Sequence, residues 1–91
     1  MKIISTYPND TKLYSVHAVL GGVYADLKDF TNSLASFQNA AELNPKYELA
    51  SLGMYLSYVE LNRDEEAIQE LIKYLSSYPA NLYKDTLIEL L

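Results

Sequence analysis

Cysteine is absent from this 91-residue chain, and so is tryptophan. Without cysteine there is neither a disulfide framework nor a thiolate metal site, and the absence is compatible with any compartment. Glycine and proline are scarce, at three each, so long stretches run without a breaker, which favours helices over short strands joined by turns. No apolar run approaches the ~20 residues of a membrane-spanning helix. Met1-Lys2-Ile3-Ile4 is too short for the core of a signal peptide, and the default location is cytoplasmic. Positive charge is also short: seven basic residues, scattered along the chain, stand against twelve acidic ones, for a net charge of −5. A nucleic-acid binder presents clustered positive charge to the phosphates. The nine tyrosines could stack on bases, but stacking needs a basic groove beside it. Neither a nucleic acid nor a membrane is expected as partner.

What is present is an ordinary folding composition, 49% hydrophobic and 21% charged, which excludes a disordered chain. The length allows one small domain, residues 1–91, with a shallow core. Apolar residues recur at helical steps: Leu13, Val16, Leu20, Val23 and Leu27; then Phe30, Leu34, Phe37 and Ala41; then Ile68, Leu71, Ile72 and Leu75. Asp10, Asp29 and the run Asp64-Glu65-Glu66 suit helix starts, and Asn62 suits the left-handed position that ends a helix. The spacing predicts helices near 10–27, 29–43, 46–61, 64–78 and 80–91. Short loops between them make sequential neighbours antiparallel.

The chain also repeats itself. Pro45 and Pro79 lie 34 residues apart, and a shift of 34 pairs Leu20 with Met54, Tyr24 with Tyr58, Leu27 with Leu61, Ser33 with Ala67 and Phe37 with Leu71. His17-x2-Leu20-Gly21-x2-Tyr24, Ser33-x3-Phe37 and Pro45 follow one another in the first unit. Ser51-x2-Met54-Tyr55-x2-Tyr58, Ala67-x3-Leu71 and Pro79 follow in the second. This pattern resembles the tetratricopeptide repeat family, whose units read W-x2-L-G-x2-Y, A-x3-F and P over 34 residues. It departs at His17 and Ser51, where the family often has Trp, and at Tyr55, where it prefers a small residue. The resemblance implies an all-α fold, an α-α superhelix of tetratricopeptide-like helical hairpins. Repeat 1 covers about 14–47, repeat 2 about 48–81 and a partial or capping unit 82–91. Residues 1–9 resemble the end of a preceding repeat, so the chain reads as a piece of a longer solenoid. Gly21 and Ser33 are expected where the helices of a hairpin cross closely.

Three constellations in the chain bear on chemistry. His17 is a lone histidine with no Ser, Cys or Asp motif around it and reads as a packing residue. Asp64, Glu65, Glu66 and Glu70 lack the wrapping loop of a cation site and read as a solvated helix start. Gly21-Gly22 lies inside a helical pattern rather than in a loop between strand and helix, so it is no phosphate cradle. No enzyme, cofactor or metal is expected. The resemblance instead implies a concave surface lined by the first helices of successive units. Its stripe would be Ser15, Ala18, Gly22 and Asp26, then Leu49, Leu52, Leu56 and Glu60, then Tyr83, Thr86 and Leu90. That surface, apolar in its middle, suits a peptide segment or helix of a protein partner whose identity the sequence does not name. The alternatives are that these residues simply seal the stack, or that the apolar faces drive self-assembly into a homo-oligomer. Chaperone-binding members grip a C-terminal carboxylate with Lys and Asn. The matching places here hold Ala18, Gly22, Gly53, Tyr83 and Leu87, none of them such a donor, so a chaperone tail is not the expected ligand.

Overall fold

The computed structural model describes residues 13–90, with the side chain of Leu90 left aside. Asp10, the start of the first predicted helix and the repeat-like residues 1–9 lie outside the described residues. Five helices follow in order: α1 (Leu13–Asp26), α2 (Phe30–Leu43), α3 (Glu48–Glu60), α4 (Asp64–Ser77) and α5 (Asn81–Leu90). Among the described residues there is no strand. Each of the first three helices packs against the next, and α5 leans on α3. The architecture is all-α, consistent with tetratricopeptide-like helical repeats. No helix among the described residues is long and apolar enough to cross a membrane.

Local chemistry explains the boundaries. Lys28 and Asn62 both adopt left-handed backbone, at φ 64° and 61°. In the first turn Lys28 N–H donates to Ala25 O at 3.0 Å and Asp29 N–H to Tyr24 O at 2.9 Å. In the second, Asn62 N–H donates to Val59 O at 3.0 Å and Arg63 N–H to Tyr58 O at 2.8 Å. Both are Schellman turns, which satisfy the last carbonyls of a helix while reversing the chain. Asn tolerates this conformation. Lys28 adopts it at a steric cost that the sequence pattern did not flag. Asp29 then caps α2, its carboxylate accepting from the backbone N–H of Asn32 at 3.2 Å and from the Asn32 side-chain amide at 2.7 Å. Asp64, Glu65 and Glu66 occupy the first turn of α4, where negative charge meets the positive end of the helix dipole. Pro45 and Pro79 stand in the two loops between hairpins, just past the ends of α2 and α4.

The principal core gathers Ala18, Leu34, Phe37, Ala40, Ala50 and Met54 from α1, α2 and α3. Its centre is the Phe37 ring. A Cβ added to Gly21 would stand 2.7 Å from the Cδ2 edge of that ring, and one added to Gly53 would stand 2.5 Å from the Cδ1 edge. Two glycines on different helices thus let one aromatic ring fill the crossing of three. Beside it, the buried Ser33 hydroxyl donates to Gly21 O at 2.8 Å and accepts from Ser57 Oγ at 3.2 Å. The small residues expected at the first crossing are there, and they are joined by a hydrogen bond. Leu20 and Tyr24, by contrast, are only half-buried.

The second hairpin redistributes its bulk. Tyr55 stands at the offset position of Gly21, and the smaller Leu71 stands at that of Phe37. Volume shifts from the second helix of the unit to the first, and Ala67 stays almost wholly buried at the place of Ser33. Both Tyr55 and Leu71 pack against a smaller cluster of Leu52, Tyr74 and Tyr83.

Chemical denaturation will separate the three glycines. Gly21→Ala and Gly53→Ala drive a methyl group into Phe37 and cost about 1–3 kcal/mol each by overpacking. Gly22, whose added Cβ would meet nothing within 4 Å, gains helix propensity as alanine, up to about 1 kcal/mol. Phe37→Ala costs about 3–5 kcal/mol through the cavity it leaves. Equal effects at Gly22 and Gly53 would contradict this packing.

Candidate functional site

A cleft of about 320 Å³ opens on the face of α3 that looks past the end of α1. Leu49, Leu52 and Leu56 recur at helical steps and line one wall, with Glu60 at the end. Ala25 and Lys28 from the end of α1, with Phe30 at the start of α2, form the other side, and the edge of Phe37 reaches it from the core. Gly53 and Ser57 keep the floor low between the leucines. The lining is mostly apolar, with one cation and one carboxylate at its rim. Leu49 and Leu56 are 41% and 42% exposed, large side chains left in water by the fold. Such a surface gains free energy when an apolar group covers it.

The predicted stripe divides. Leu49, Leu52, Leu56 and Glu60 come together in this cleft. Ser15 and Asp26 are exposed on α1, and Gly22 is half-buried there, none of them lining it. Ala18 is buried in the principal core. Leu52 is mostly buried, bridging the cleft and the second cluster. Thr86 lies half-buried on α5, and Leu90 falls in the last turn of α5, with its side chain outside the described residues. Lys28 and Phe30 were missed because the cleft uses the turn between helices, which a stripe along first helices does not sample.

Tyr83 requires a correction. Expected on the open groove, it is 1% exposed. Ser51 Oγ donates to Glu70 Oε2 at 2.6 Å, which leaves the Tyr83 hydroxyl, 2.6 Å from Ser51 Oγ, to donate to it. The backbone N–H of Tyr83 donates to Glu48 Oε2 at 2.7 Å, so a carboxylate from α3 satisfies a free donor in the first turn of α5. The ring packs edge-on against Tyr55, with centroids 5.9 Å apart, and tilted against Tyr74 at 5.8 Å. The reason lies one residue on. Continuing the repeat register would bury Lys84 at the place of the fully buried Ala50. A lysine is expensive to bury. Helix α5 instead turns Tyr83 inward and keeps Lys84 in water.

The remaining constellations are engaged locally. Arg63 makes a hydrogen-bonded ion pair with Glu66 and lies over the Tyr58 ring, 5.0 Å from its centroid. That bond holds the Glu66 carboxyl below its ordinary range. Among the described residues no group of three or more His and acidic side chains converges on a possible metal position. His17 is half-buried on α1. Burial pushes the Tyr83 hydroxyl far above the ordinary tyrosine range; the Ser51 hydrogen bond opposes this, and the Glu70 and Glu48 carboxylates add to the rise. Tyr74 is raised as well, by burial first and then by Glu48. Its hydroxyl donates to Lys46 O at 2.5 Å.

Compared with known proteins, residues 14–47 match the family model described as the tetratricopeptide repeat. No curated protein and no solved structure matches the chain.

The tyrosine shifts set a pH dependence. A hydroxyl whose folded pKa is raised contributes stability that is intact below the unfolded pKa of about 10 and is lost as pH rises from there toward the folded value. Stability is therefore expected to fall above about pH 10. Tyr83→Phe should cost about 1 kcal/mol at neutral pH and flatten that alkaline decline, measured by denaturation across the pH range. An unchanged alkaline slope in Tyr83→Phe would show that the hydroxyl is not held as described.

Proposed function

From a chain whose residues 14–47 match the tetratricopeptide repeat and whose five helices fit a repeat protein of that type, we propose a non-catalytic protein–protein interaction scaffold. Repeats of this family are in general interaction modules rather than catalysts. Its ligand is an apolar peptide segment or helix, received in the cleft between α3 and the α1–α2 turn. The observation that carries this reading is the pair Leu49 and Leu56, one helical stretch apart, both large, both exposed, facing a cleft with an apolar lining. Two apolar anchors on an extended segment or on one face of a helix would fill such a groove. Lys28 and Glu60 at its rim supply polar contacts that fix the direction of the ligand. The net charge of −5 with scattered basic residues argues against nucleic acid as the ligand.

Peptides selected from a random library against the intact chain provide the test. Selected sequences should share apolar anchors, and fluorescence polarisation should show Leu49→Glu and Leu56→Glu each weakening them at least about tenfold, the equivalent of 1.4 kcal/mol. Both positions are exposed enough to accept a carboxylate with the helical circular-dichroism signal intact. Leu52, rooted in the second cluster, is the wrong probe, because Leu52→Glu would disturb the fold. Glu65→Lys on the solvated start of α4 should change little. Binding that survives both leucine substitutions and fails on Glu65→Lys would reverse the assignment.

A further inference from the structure

Helix α3 carries two stripes side by side, and each does a different job. Glu48, Ser51 and Tyr55 recur at steps of three and four and hold α5. Glu48 accepts the Tyr83 backbone N–H, Ser51 meets the Tyr83 hydroxyl, and Tyr55 packs edge-on against its ring. Each residue of this stripe is followed directly by one of the cleft wall, Leu49, Leu52 and Leu56. The two stripes are therefore displaced by one residue, about 100° around the helix axis. Leu49 and Leu56 stand in water, while Leu52 between them is 8% exposed. The Leu52 side chain serves both sides: it lines the cleft, and it packs into the cluster with Tyr74 and Tyr83. Among the described residues, none of α5 lines the cleft.

Resting on the reading of that cleft as a peptide site, we propose that Tyr83 is a positioning residue for it: the ring fills the space behind Leu52, holds the middle of the cleft wall in place, and so couples the docking of α5 to the binding of a ligand. A leucine has no polar atom to fix its rotamer, so packing alone does this. Tyr83 supplies a large buried ring for that purpose. The ring is itself fixed by more than packing, through the hydroxyl chain to Ser51 and Glu70 and the backbone N–H on Glu48. Without the ring a void is left in the cluster, and surrounding structure closes such voids only in part. Leu52 then gains a rotamer turned into the void. The wall is left with a gap between Leu49 and Leu56, and a ligand loses the contact in the middle of its apolar face. Such a coupling is reciprocal. A ligand that presses on Leu52 favours the docked α5, although it touches no residue of that helix.

Methyl NMR of the intact protein with labelled leucines tests the packing half without any ligand. In Tyr83→Ala the Leu52 methyl shifts should move from those of one fixed rotamer toward a rotamer average. In Tyr83→Phe, which keeps the ring and loses only the hydroxyl, they should stay near the wild type. A role in stability alone would not produce this split, because lower stability changes the folded fraction and not the rotamer within it. Unchanged Leu52 signals in Tyr83→Ala would overturn the proposal. The coupling half uses as probe a fluorescein-labelled peptide selected against the intact chain, one whose binding is weakened by Leu49→Glu and by Leu56→Glu. Its Kd should rise about tenfold in Tyr83→Ala and less than about twofold in Tyr83→Phe. On the wild type, saturating peptide should slow hydrogen exchange at the α5 amides by a factor similar to that rise, since the coupling is the same in both directions. Equal affinities for the wild type and Tyr83→Ala, or α5 exchange unmoved by the peptide, would contradict the coupling. A selection that yields no leucine-dependent peptide would sink the reading of the cleft, and the coupling with it, whereas the methyl signals report the packing of Leu52 either way.

Discussion

The ring of Phe37 between Gly21 and Gly53 sets the spacing of three helices, and much else follows from it. A side chain at either glycine would stand within 2.7 Å of the ring or closer, a distance no pair of carbons accepts. The glycines therefore permit α1 and α3 to approach α2 from two directions at once. That approach brings the Ser33 hydroxyl to Gly21 O and to Ser57, so the polar groups at the crossing are satisfied where water is excluded. It also sets α3 against the α1–α2 turn at the angle that opens the apolar cleft. Phe37 belongs to both: its interior packs the core, and its edge reaches the cleft.

The second hairpin solves the same crossing with different material. Tyr55 and Leu71 replace Gly21 and Phe37, and the cluster they pack against is held by hydroxyls as much as by apolar contact. Ser51 sits where the family often has a large aromatic. Its small side chain leaves room for Tyr83 to enter from α5, and its hydroxyl links Tyr83 to Glu70. Glu48 completes the attachment by accepting the Tyr83 backbone N–H. The last helix is therefore fastened by one buried tyrosine rather than by a continuous apolar stripe. This leaves the outer face of α4 open.

Much of this was legible in the sequence, and the failures have definite causes. The helices and their order follow from apolar steps of three and four together with Asp29, Asn62 and the two prolines, all local signals. The close crossing at Gly21 and Ser33 follows from the repeat pattern. Gly53 was not legible, because its role is to admit a ring from another hairpin and no local pattern marks that. Lys28 was not legible as a left-handed residue, since only tertiary fit and the helix-ending hydrogen bonds hold it there. For the candidate site, the leucine wall on α3 could be read from periodicity, but the opposing wall comes from a turn. Tyr83 was placed by carrying the repeat register into α5. Lys84 breaks that register, and a single charged residue at a buried position outweighs a pattern.

The Phe37 ring is what requires glycine at position 53. A double-mutant cycle between Gly53→Ala and Phe37→Leu, read by chemical denaturation, addresses this directly. Leucine withdraws the ring edge from the glycine. Gly53→Ala should then be at least about 1 kcal/mol less costly in the Phe37→Leu background than in the wild type, a coupling within the range seen for residues in contact. Additive effects of the two substitutions would contradict the account.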